Sequence, residues 1–157
     1  MLVVIIMGSP SDAEFCDRIS TALDRFQIPW EKRVASAHKV PRRVLSILEK
    51  YEAEAAPKVY ITVAGRSNAL SGLVDGQVSA PVIACPPYSG TFSGADLLSS
   101  LRMPSGIGPA VVLEPENAAL LAAKILGLSN PQVRRRVATV KEEHVRRLID
   151  ADEAARA

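Results

Sequence analysis

The stretch that decides the fold is Leu2-Val3-Val4-Ile5-Ile6-Met7-Gly8-Ser9-Pro10-Ser11-Asp12. Six apolar, mostly β-branched residues run without alternation and stop at a glycine, the pattern of a strand covered on both faces in a parallel sheet. Ser9, Ser11 and Asp12 supply N-cap chemistry, and Phe15, Cys16, Ile19, Ala22, Leu23 and Phe26 then recur at helical spacing until Pro29. Strand, polar turn, amphipathic helix is the first half of a βαβ unit.

The same cycle repeats along the chain. Trp30 to Ala35 reads as a strand, Ser36-Ala37-His38-Lys39 as its turn, and Pro41 as the first residue of a helix carrying Val44, Ile47, Leu48 and Tyr51. Lys58 to Ala64 is a third strand, followed by the turn Gly65-Arg66-Ser67-Asn68 and a helix over roughly 69–77. A fourth strand spans 81–85, and Pro86 to Gly94 forms a Pro/Gly/Ser-rich loop too long for a simple turn, closed by a short helix over 95–101. A fifth strand at 109–113, an Ala-rich helix from Pro115 to Gly127 and a last helix from Pro131 complete the series. The expected architecture is α/β: five parallel strands between helical layers, plus a C-terminal helical extension. Open sheets of this kind bind ligands at the carboxyl ends of their strands, which brings the loops at 8–12, 36–39 and 65–68 to one cleft.

Composition sets bounds on that reading. The 157 residues, 48% hydrophobic, make roughly one domain at about 150 residues each. Nineteen Lys and Arg against 17 Asp and Glu leave a net charge of only +2, and three Phe, three Tyr and one Trp are few for stacking on bases, so a nucleic-acid partner is not expected. Cys16 and Cys85 stand apart, at neither disulfide-framework nor zinc-ligand spacing, which suits a reducing cytoplasm and leaves no metal site in view. The apolar run at the start is too short for a membrane span. No Gly-Lys dipeptide and no G-x-G-x-x-G after the first strand occur, so neither a P-loop nor a dinucleotide site is indicated and no cofactor is expected.

Each cleft loop has its chemistry. Ser9 and Ser11 offer hydroxyls to a phosphate, and Asp12 a carboxylate to a sugar diol; the plainer reading of Asp12 is an N-cap. His38 beside Lys39 sets an imidazole next to an ammonium, a proton shuttle next to an anion-holding charge. Gly65-Arg66-Ser67-Asn68-Ala69 partly imitates the G-x-S-x-G nucleophile elbow of a hydrolase, but Ala69 replaces the last glycine and the downstream His144 lies in a charged helix. His144 fits best on the semi-buried stripe of the last helix with Val133, Val137 and Val140, and Arg134-Arg135-Arg136 on a solvated face or subunit contact. Cys85 and Cys16 read as packing residues. A non-catalytic flavodoxin-like module holding a phosphorylated ligand or FMN, or a receiver-type switch, is the other class; these loops lack both the aromatic rings of the flavin version and the carboxylate cluster of the receiver.

Four segments together resemble the PurE family, the phosphoribosylaminoimidazole carboxylases and their mutase relatives of purine biosynthesis: Met7 to Asp12 (MGSPSD), Ser36 to Lys39 (SAHK), Ala64 to Gly72 (AGRSNALSG) and Ser99 to Gly106 (SSLRMPSG). The resemblance implies a flavodoxin-like three-layer sandwich and a homo-oligomer, usually an octamer, with sites completed by neighbouring subunits and the helix at about 131–156 in subunit contacts. It implies carboxylation of 5-aminoimidazole ribonucleotide (AIR) by CO2 to the 4-carboxy product (CAIR), without ATP. Lys39 stands where the N-carboxyaminoimidazole ribonucleotide mutases carry Arg, and Ala69 where they carry a second histidine, which favours the direct CO2-using (class II) branch over the mutase. Carried over by residue, the resemblance makes His38 the proton shuttle, Ser9, Ser11, Ser36 and Lys39 the holders of phosphate and ribose, and Asp12 the partner of the sugar hydroxyls. Gly65, Arg66 and Ser67 would line the base side. CO2, a weak neutral ligand, needs a water-poor pocket, and the Pro87 to Gly94 loop is the candidate for its cover.

Overall fold

The structure, a computed structural model, describes residues 1–156. Its strands are β1 (Leu2–Met7), β2 (Trp30–Val34), β3 (Lys58–Val63), β4 (Val82–Ala84) and β5 (Ala110–Val111), and its α-helices α1 (Ala13–Arg25), α2 (Pro41–Glu52), α3 (Ala69–Asp75), α4 (Pro115–Leu126) and α5 (Pro131–Ala155). The sheet order is β2-β1-β3-β4-β5 and every pairing is parallel. That is the flavodoxin-like doubly wound order, in which the chain reverses direction across the sheet between β1 and β3.

The uninterrupted apolar run of β1 is explained by its interior place in this sheet, between β2 and β3. Val3, Ile5 and Met7 face a core shared with Cys16, Ile19 and Leu23 of α1, the alanines of α4 and Val133, Val137 and Val140 of α5. Val4 and Ile6 point the other way, among Val44, Ile47, Leu48 and Tyr51 of α2 and Leu70 and Val74 of α3. Burying each such side chain stabilises the fold by roughly 1.5–3 kcal/mol, so a strand that fills two cores at once has no position left for a polar residue. Edge strand β2 has only half-buried and exposed residues, none of them buried. The alanines of α4, Ala118, Ala119, Ala122 and Ala123, are fully buried and admit α1 at close range.

Three local departures from the sequence reading have physical causes. Between β1 and α1 a 3-10 turn over Pro10–Asp12 intervenes, capped by Ser9, and Asp12 makes no capping bond with its side chain. The expected short helix after the long loop is a 3-10 segment over Thr91–Ser100, kinked where Phe92 (φ 54°), Ser93 (φ 53°) and Gly94 (φ 78°) enter the left-handed region in succession. The stripe of α5 is buried only at Val133, Val137 and Val140; from Lys141 onward the described helix is exposed, His144 and Leu148 included, and is tied to α1 by an exposed ion pair between Glu143 and Arg25 (2.7 Å). Arg134 and Arg136 are not simply solvated either: Arg134 donates to the carbonyls of Gly127 (3.0 Å) and Leu128 (2.8 Å) at the end of α4, and Arg136 to that of Phe26 (3.4 Å). Among the described residues no helix is long and apolar enough to cross a membrane.

Candidate active site

The carboxyl ends of β1, β2 and β3 stay bonded to one another one residue past their last pairs. Gly8 N–H donates to the Val63 carbonyl (2.9 Å) and Ala35 N–H to that of Met7 (3.0 Å), so the loops after the three strands leave the sheet side by side. Together they enclose a cleft of about 460 Å³. Ser9, Ser11 and Asp12 line it from the first loop, Ser36, His38 and Lys39 from the second, and Gly65, Arg66 and Ser67 from the third, with Ala69 at the start of α3. Every residue singled out from the sequence as a binding or catalytic candidate is therefore in one place. Pro87, Tyr88 and Ser89 add a wall from the long loop after β4. The volume is within the range of small-ligand pockets, and the position, at the reversal point between β1 and β3, is where this topology places them.

The hydroxyls of the first two loops are oriented by the backbone. Ser9 Oγ accepts from the N–H (3.3 Å) and hydroxyl (2.8 Å) of Ser11, and Ser36 Oγ accepts from Lys39 N–H (3.3 Å). Both lone pairs of Ser9 Oγ and one of Ser36 Oγ are so used, and each serine keeps its own hydrogen for an acceptor in the cleft, which is the polarity that a phosphate or ribose oxygen requires. Lys39 and His38 are exposed at the opening, and α1 and α2 begin just after the first two loops, so their positive ends face the same space.

Asp12 departs from capping behaviour. Burial pushes its carboxyl above the ordinary carboxylate range, opposed by the Ser9 amide and the Ser11 hydroxyl and, more weakly, by the Arg66 guanidinium. A carboxylate partly withdrawn from water, at the N-cap position of α1 but making no capping bond, is set up to accept from a ligand. Arg66 itself sits at φ 58°, in the left-handed region that non-glycine residues seldom enter. Strain of this kind costs of order 1–3 kcal/mol and concentrates at functional sites.

Sequence reasoning missed the supports of the third loop. Asn68 is buried, its Oδ1 accepting from Ser71 N–H (3.2 Å) and its Nδ2 donating to the hydroxyls of Ser71 (2.8 Å) and Ser100 (2.9 Å). Ser71 in turn shares a hydrogen bond of 2.7 Å with Thr62 on β3. Asn68 read as one residue of a polar turn, and nothing within its own stretch announces a partner so far along the chain. The hydrolase reading fails on geometry: His144 lines a separate groove with residues of α1 and α4, not the cleft that holds Ser67. Among the described residues no three potential metal ligands come together.

Comparison with known proteins agrees with the fold and extends over the cleft. Residues 2–147 match the family model described as AIR carboxylase. A Treponema denticola protein named phosphoribosylaminoimidazole carboxylase is 52% identical over 151 residues, covering 96% of this chain and 95% of that one. An Archaeoglobus fulgidus protein of the same name is 53% identical over 156 residues, 99% of this chain and 86% of its own. The crystal structure of Treponema denticola PurE superposes with a TM-score of 0.96 at 52% identity, over 98% of this chain and 97% of that one. A family match over nearly the whole chain, a superposition this close and this level of identity leave one assignment: the chain belongs to the AIR carboxylase family.

Proposed function

We propose that this chain carboxylates AIR directly with CO2 to give CAIR in purine biosynthesis, with His38 as the proton shuttle. The observation that carries the reading is the gathering, in a member of this family, of three hydroxyl-, carboxylate- and cation-bearing loops around one cleft that holds an imidazole. The aminoimidazole ring is an electron-rich enamine, and its unsubstituted ring carbon attacks CO2 to form the new carbon–carbon bond. That carbon is then tetrahedral and carries a proton, which it must lose to restore aromaticity; His38 takes it and later returns it to solvent. No bond to a leaving group breaks, and no phosphoryl activation is needed.

In this reading Ser9, Ser11, Ser36 and Lys39 hold the phosphate and ribose, Asp12 accepts from the sugar hydroxyls, and Gly65, Arg66 and Ser67 flank the base. Binding energy drawn from the phosphoribosyl end fixes the ring carbon against CO2, a neutral ligand with little to grip. The loop from Pro87 to Gly94 covers the pocket and limits water. Lys39 and Ala69 both line the cleft, so the two positions that separate the direct carboxylases from the mutases act on the bound nucleotide itself. We read the chain as one carboxylase domain working in the cytoplasm on small-molecule substrates alone, assembled as a homo-oligomer through the exposed half of α5 and usually octameric.

The deciding experiment is ATP-free turnover of AIR with dissolved CO2, run beside the N-carboxy isomer as sole substrate. Turnover of the first alone is the expected result. Turnover of the second alone would make the protein a mutase, and silence with both would return it to a ligand-binding module.

A further inference from the structure

Arg66 holds a sparsely populated backbone conformation with its side chain at the cleft, and such conformations persist only where the surroundings over-determine them. The side-chain hydrogen bonds that reach this loop from afar come from one distant serine and a buried hub. Ser99 Oγ accepts from Asn68 N–H at 3.0 Å, and its own hydrogen faces the carbonyl oxygens of Arg66 (2.8 Å) and Asp96 (2.7 Å). A single hydroxyl thus grips the peptide units on both sides of Ser67, across 33 positions of sequence at Arg66 and 31 at Asn68. Next to it, Ser100 is buried and accepts from Asn68 Nδ2, which ties the same two segments a second time.

We propose that Ser99 is a positioning residue, a latch that sets the backbone of Arg66 and so aims its guanidinium into the nucleotide cleft. Ser99 does not line that cleft; besides the Asp96 carbonyl of its own segment, its partners are backbone groups of the loop that does. It acts through Arg66, and the inference rests on the reading of Arg66 as a ligand of AIR. Because Ser99 is exposed, its replacement opens no cavity in either core; what it removes is the acceptor of the Asn68 amide and the donor to the Arg66 carbonyl.

The test has a substrate-free arm and a kinetic arm. In the free protein, amide hydrogen exchange at Asn68 is expected to quicken about tenfold or more in Ser99→Ala and to stay at the wild-type rate in Ser99→Thr, which keeps the hydroxyl; unchanged exchange in Ser99→Ala overturns the latch whatever the protein catalyses. In the kinetic arm, Ser99→Ala is expected to raise KM for AIR roughly two- to tenfold, the effect of one ordinary hydrogen bond, at nearly unchanged kcat, with Ser99→Thr restoring it. Combined with Arg66→Ala, it is expected to add nothing to the KM of Arg66→Ala alone. Multiplying effects in the double variant would show that Ser99 acts independently and would end the proposal. Arg66→Ala with a normal KM would overturn the Arg66 reading, and the kinetic role of the latch with it.

Discussion

His38 and Lys39 are neighbours in sequence and line the same cleft, yet they are assigned opposite parts of the kinetics. Replacing His38 by Asn keeps size and polarity but removes the base, so kcat is expected to fall about 10²–10⁴-fold while nucleotide binding, followed by titration calorimetry, stays within a fewfold of wild type. Lys39→Ala is expected to do the reverse, raising KM for AIR and leaving kcat nearly intact, because a phosphate loses its nearest fixed cation. Equal kcat in His38→Asn would move the proton to another group. Asp12 makes a third case, in which stability and function pull apart. Its carboxyl is held above the ordinary range by burial, so the folded state retains a proton that the unfolded chain gives up. Stability from this group is therefore present at low pH and is lost as pH rises through the carboxylate range. Asp12→Asn is expected to raise Tm at pH 7, to leave it unchanged near pH 3, and to weaken binding of the ribose-bearing substrate; a lower Tm at pH 7 would mean that the attraction of Arg66 outweighs burial.

At the scale of elements, the kinked segment after β4 carries the sharpest test. Gly94 lies at φ 78°, and a Cβ built there would meet Tyr88 Cε2 at 2.7 Å, while Tyr88 borders the cleft. Gly94→Ala is expected to displace Tyr88 and open the cover, lowering kcat/KM by tenfold or more while shifting Tm by little, since the loop touches neither core. Activity at the wild-type level would show that the cover plays no part. The strands and helices themselves were legible because β-branched runs, Pro at helix starts and Gly at strand ends are signals contained within one segment. The cleft was legible for a related reason: a parallel sheet puts every strand's exit on the same edge, so polar residues just after strands must converge. The kink at Phe92, Ser93 and Gly94 was not, because two of its three left-handed residues are types that rarely adopt that conformation. The bond between Asn68 and Ser100 was hidden as well, since hydrogen bonds between distant loops leave no periodic trace.

For the whole molecule, α5 divides into a half that completes the core and a half that does not. Val145 (57% exposed), Leu148 (73%) and Ile149 (52%) form an apolar strip on the second half, flanked by charged residues. Charging it with Leu148→Glu and Ile149→Glu is expected to leave the unfolding of a single chain unchanged and to reduce the mass seen by sedimentation; a variant that still assembles as wild type would place the subunit contact elsewhere. The other consequence of the architecture concerns synthesis. The interior strand β1 precedes in sequence both of its partners, β2 and β3. At elongation rates of about 5–20 residues per second, roughly 3–12 s separate the emergence of Leu2–Met7 from that of Lys58–Val63. Until Trp30–Val34 emerges, about halfway through that interval, a six-residue, mostly β-branched ribbon without a single charge has both edges unpaired, and its β3 edge stays unpaired to the end of it. The same run that makes the fold readable makes the nascent chain a target for whatever first covers exposed strands.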